Sequence, residues 1–86
     1  MHTVELLKRL LEVARGMGYG VREDWLGGSG GGGCEIKGRK WIFLDLAQGP
    51  AEHLDQVTET LRRDPALAGL DVPNDLLVQA SPRKVA

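Results

Sequence analysis

Apolar residues recur at intervals of three and four from Thr3 to Met17: Val4, Leu6, Leu7, Leu10, Leu11, Val13, Ala14 and Met17. Glu5, Lys8, Arg9, Glu12 and Arg15 fill the other side, so the spacing predicts an amphipathic helix with Thr3 as N-cap and an exit through Gly16 and Gly18. From Tyr19 to Leu26 the period changes to two. Tyr19, Val21 and Trp25 alternate with Arg22 and Asp24, as in an outer strand, and Glu23 on the apolar side discourages edge-to-edge pairing. A third pattern runs from Lys40 to Leu46, where Trp41, Ile42, Phe43, Leu44 and Leu46 leave almost no polar position. Such continuity suits a central strand covered on both sides. Cys34 to Lys37 reads as its short hairpin partner. A Gly38-Arg39 turn of type II′ would set Ile36 opposite Trp41 and Cys34 opposite Phe43.

Gly49-Pro50 opens a second helix, with Glu52 near its positive end, an apolar stripe of Ala51, Leu54, Val57, Thr58 and Leu61, and Arg62 and Arg63 in the last turn. Asp64-Pro65 stops it. Beyond lie a turn-rich connection, a short helix expected over Pro73 to Ala80, and a fraying tail over 81–86. The fold class expected is α+β: a single domain over 1–80, order α-β-β-β-α, with a three-stranded antiparallel sheet and two main helices. The expected core joins Leu7, Leu10, Leu11, Trp41, Phe43, Leu54 and Leu61.

Composition narrows the function classes. Eleven basic and twelve acidic residues give a net charge of −1. This chain lacks the global positive field of a nucleic-acid binder. The longest apolar run is four residues, against the roughly 20 that a membrane helix needs. A lone cysteine and an N-terminus that goes straight into a charged amphipathic pattern set a reducing cytoplasm as the default location.

The glycine-rich loop at 27–33 invites an anion or nucleotide reading, because Gly28, Gly30 and Gly33 satisfy G-x-G-x-x-G. That fingerprint works by leading into a helix N-terminus, whereas a strand follows here. The run also matches a Gly/Ser linker in composition. The expectation is a mobile connection that tolerates shortening, since loop closure entropy changes slowly with length.

Three further residues are candidates for chemistry. Cys34 would be a nucleophile if His53 activated it, but a thiol facing Phe43 inside the sheet behaves as a small hydrophobe. Asp45 interrupts the most apolar strand; capping the next helix, or pairing with Arg39 or Lys40, explains it without catalysis. No metal is expected, because His2, His53 and Cys34 lack the paired spacing of a zinc site. No cofactor is expected either. Lys37, Arg39 and Lys40 beside Trp41 form the one local feature suited to a nucleic-acid contact, which as three charges on a turn reads first as a solvated tip.

The opening helix, the GYGVRED strand, the glycine-flanked GGxC-x-x-x-G-R-x-W-I-F-L-D hairpin and the Pro-initiated helix resemble a class of small bacterial protein with no assigned activity. More distantly, residues 6–61 are similar to the opening helix and hairpin of IrrE-type zincin metallopeptidases. That resemblance implies a hairpin running into a helix, but the zincin H-E-x-x-H is replaced by His53-Leu54-Asp55-Gln56-Val57. No catalytic residue transfers.

The reading that results is a binding domain, a homodimer or an accessory to another protein, with Trp25 or Trp41 near the contact. The alternative is a small enzyme using Cys34 or Asp45.

Overall fold

In the computed structural model, residues 2–28 and 30–70 are described; the helix expected over Pro73–Ala80 and the tail lie outside them. The element order is α1 (Thr3–Gly16), β1 (Gly20–Asp24), β2 (Gly32–Ile36), β3 (Arg39–Asp45), α2 (Pro50–Arg63) and a 3-10 turn (Pro65–Gly69). Thus the α-β-β-β-α order expected from the patterning is present. His2, not Thr3, takes the N-cap position of α1 and makes no side-chain cap, while Gly18 at φ +97° provides the exit. At α2, Gly49 is the N-cap, Pro50 opens the helix, and the Glu52 carboxylate accepts the Gly49 N–H at 3.0 Å.

The sheet order is β1-β3-β2, which puts the most apolar strand in the centre. One expectation is corrected here: the sheet is mixed, because β1 runs parallel to β3 while β2 runs antiparallel to it. Consecutive strands that are neighbours form a hairpin, but β1 and β2 are not neighbours. The connection between them crosses the end of the sheet, so β3 fills the slot between.

The hairpin register is also corrected. The turn residues are Lys37 (φ +52°) and Gly38 (φ +79°), both in the left-handed region that a type I′ turn requires. Moving the turn by one residue shifts the pairing by two, so Cys34 lies opposite Trp41, Glu35 opposite Lys40 and Ile36 opposite Arg39. A two-residue shift leaves every side chain of β2 on its expected face, so Cys34 and Ile36 stay on the side of Trp41 and Phe43.

Both helices pack on the same face of the sheet. The buried core is Leu6, Leu10 and Ala14 of α1, Ile42 and Leu44 of β3, Leu54, Val57 and Leu61 of α2, and Tyr19. Leu7 and Leu11 are only partly buried, and Trp41 and Phe43 lie outside this cluster, half-buried on the opposite face. The expected core therefore took the wrong side of β3. A central strand can be apolar on both faces while only one is covered by helices.

Candidate interaction surface

Strand parity builds the surface. Trp41 and Phe43 project from the face of β3 opposite the one carrying Ile42 and Leu44, and their rings stack with centroids 6.1 Å apart. Gly20 lies beside Trp41 on β1 and Gly32 beside Phe43 on β2. Gly20 gives the Trp41 ring room, since a Cβ there would fall 2.6 Å from it, whereas a Cβ at Gly32 would meet nothing within 4 Å. The Arg39 guanidinium lies over the Trp41 ring, 4.6 Å from its centroid. Arg22 and Asp24 stand on the same face of β1, and Cys34 and Ile36 on the same face of β2, with Ile36 45% exposed. Among the described residues no helix covers this face.

One end of the face is closed by the glycine-rich loop, and Asp45 is the reason. Its carboxylate is wholly inaccessible to solvent and accepts four backbone N–H groups of the described residues. Oδ1 takes those of Leu26 (3.1 Å) and Ala47 (2.9 Å); Oδ2 takes those of Gly28 (2.9 Å) and Gly30 (3.1 Å). Asp45 thus neither caps α2 with its side chain nor pairs with Arg39 or Lys40, as the sequence suggested. These N–H groups, that of Ala47 foremost, hold its carboxyl below the usual carboxylate range against the opposing effect of burial. Glycine is needed at 27, 28 and 30, where φ lies between +70° and +87°. The loop is therefore pinned at its glycines, which corrects the expectation of a mobile connection. The amides that an anion would use at Gly28 and Gly30 are engaged by the protein's own carboxylate. Gly33 is separate, lying in β2 under Thr60 of α2.

His53 is buried on α2, and its Nε2–H donates to the backbone carbonyl of Asp45 at 2.7 Å. Cys34 is an exposed free thiol beside Trp41, contrary to the enclosed position expected, because the helices cover the Ile42 and Leu44 face and leave this one open. The pair expected for thiol activation is thus split between opposite sides of the sheet. Among the described residues no three His, Cys, Asp or Glu side chains gather to hold a metal ion. Also among them, no helix is long and apolar enough to cross a membrane. Trp25 is 70% exposed just beyond β1.

A second polar cluster was not read from the sequence. Asp64, at the end of α2, accepts the Tyr19 hydroxyl at 2.7 Å and pairs with the Lys40 ammonium at 2.9 Å, while Lys40 also lies over the Tyr19 ring. The Lys40 contact, then that of Tyr19, lowers the Asp64 carboxyl to about 2; burial and the Asp64 charge raise the Tyr19 hydroxyl to about 12. Asp64 was read only as a helix stop. The legible signal was Lys40, whose parity on β3 sets it on the helix side with Ile42 and Leu44, where a cation requires a partner.

Comparison with protein-family models, curated proteins and solved structures finds no match to this chain.

Proposed function

We propose that this domain acts by binding, as a cytoplasmic protein-interaction module that forms a two-fold homodimer through its helix-free sheet face. The observation that carries the reading is the stacked Trp41–Phe43 pair, half-buried in a single copy and flanked by exposed Ile36. Aromatic residues at the centre of a patch with charged residues at its rim are the usual anatomy of a protein interface. A second copy fits because a two-fold contact needs one surface to complement itself. Arg22 and Arg39 supply cations at the rim, and Asp24 on the same face supplies the opposite sign. Open space over Gly32 lets a partner's rings approach the strand backbone.

Sedimentation equilibrium from low micromolar to millimolar concentration tests this. The expected mass is twice the 9.3 kDa of the chain at the upper end. Phe43→Glu leaves Trp41 over Gly20 and sets a carboxylate beside Arg22; it should keep the helical circular dichroism and abolish the dimer. A single-chain mass throughout the range, or a dimer unaffected by Phe43→Glu, overturns the proposal.

A further inference from the structure

A different surface remains at the other edge of the sheet, where β2 has no strand on its far side among the described residues. The two-residue Lys37-Gly38 turn makes Ile36 and Arg39 a hydrogen-bonded pair, and the antiparallel ladder then alternates. Consequently Gly33 and Glu35 turn their backbone N–H and C=O groups outward. Helix α2 overhangs this edge: Thr60 sits on Gly33 so closely that a Cβ there would meet its methyl at 2.4 Å. Between the overhang and the edge lies a cleft of about 620 Å³, within the range of pockets that enclose a ligand. Gln56, Thr60 and Arg63, four and three residues apart on one side of α2, form its wall, and Tyr19, Lys40 and Asp64 close its inner end. The Gln56 amide donates to Gln48 Oε1 at 2.7 Å, but its own Oε1 is buried and accepts no hydrogen bond among the described residues. A buried acceptor left without a donor is costly, and its side chain belongs to the wall of an open cleft, which a turn of the amide would let Oε1 face.

We propose that this cleft takes an extended peptide segment of a partner protein, which adds to β2 as a fourth strand through Gly33 and Glu35. The inward side chain nearest Gln56 carries an amide or a cation, supplying the missing donor to Oε1. Charge agrees, since three carboxylates (Glu35, Glu59, Asp64) line the cleft against two cations (Lys40, Arg63). β2 holds no proline or lysine, its one charge is Glu35, and it begins with two glycines, so the overhang of α2 is its main cover and leaves room beneath for a bare strand. A second copy fits this edge poorly. Adjacent strands are about 4.8 Å apart, and each copy would bring its own α2 seated over its own β2. Packed helices need about 8–10 Å. A bare strand carries no helix, so it alone enters under the overhang.

The test begins with the full chain and a random heptapeptide phage library, followed by synthesis of the enriched peptide. Titration should shift the amide resonances of Gly33 and Glu35 and the side-chain amide of Gln56. Strand addition engages every second peptide amide. N-methylation should therefore weaken binding by about tenfold at alternate peptide positions and leave those between unaffected. Glu35→Pro removes one outward N–H that the sheet does not use, so it should fold and lose the peptide, whereas Glu35→Ala should retain it. If Glu35→Pro fails to fold, the N-methyl series still decides. The proposal is overturned if no peptide is enriched, if sensitivity to N-methylation lacks the two-residue period, or if the Gly33 and Glu35 amides are already protected from exchange without peptide. Binding that persists in Phe43→Glu is expected, which separates this site from the dimer face.

Discussion

Asp45 shows how one residue can settle the path of a segment that has no regular structure. Its backbone donors among the described residues come from the loop and from Ala47, and the carboxylate is the acceptor that these N–H groups meet at a buried site. Asparagine preserves the volume but exchanges one acceptor oxygen for an NH₂ that faces two donors. Asp45→Asn should therefore lower the thermal midpoint by more than about 10 °C and abolish amide-exchange protection at Gly28 and Gly30. A variant that keeps both would show that the loop holds itself. The Asp64 cluster makes stability depend on pH at both extremes. Asp64 ionises at about 2 in the folded chain, below its unfolded value near 4. Its contribution is thus complete above pH 4 and is lost as pH falls toward 2; lowered Asp45 acts in the same sense. Tyr19, raised to about 12, contributes fully below its unfolded value near 10, and that contribution disappears as pH rises through 12. Urea titrations across pH should show both limbs. Tyr19→Phe should remove the alkaline loss contributed by this hydroxyl and reduce neutral stability by about 0.5–1.5 kcal/mol; an unchanged alkaline limb would reject the assignment.

At the scale of elements, β3 divides its apolar residues between two different environments. Ile42 and Leu44 are sealed beneath α1 and α2, while Trp41 and Phe43 pack mainly on each other and on strand backbone. Leu44→Ala should cost about 2–5 kcal/mol. Phe43→Ala, though it deletes more carbon, should cost less than about 2 kcal/mol when measured dilute enough to exclude dimer. Urea unfolding of the two variants checks this, and a larger loss for Phe43→Ala would place the core on the other face. The same division explains β2, which is exposed along most of its length and holds its place through the ladder and the Gly33–Thr60 contact.

At the scale of the molecule, the described residues set two helices on one side of a three-stranded sheet, two layers with unequal surfaces. The covered side carries the core, and the other carries an aromatic pair that stays half-exposed. Central placement of β3 leaves β1 and β2 as edges. β1 is guarded by the charges of Arg22, Glu23 and Asp24, and β2 by Glu35 and the overhang of α2. A small domain of this design buries enough to fold while presenting a face and an edge.

Local periodicity determined the elements. The three-to-four spacing of α1 and α2, the Pro50 start, the glycine exit after α1 and the continuous apolar run of β3 are properties of neighbouring residues, and each element formed where its pattern stands. The α-β-β-β-α order followed from them. Direction and register did not. The turn at Lys37-Gly38 rather than Gly38-Arg39 moves the register by two residues, whereas the direction of β1 and the face of β3 that receives the helices are a choice made by contacts distant in sequence. That choice moved Cys34 to the surface and away from His53. The roles of Asp45 and Asp64 were equally illegible, because each is defined by partners up to 45 residues away. A carboxylate looks the same in a sequence whether water or four backbone amides surround it, and only the folded chain supplies those amides.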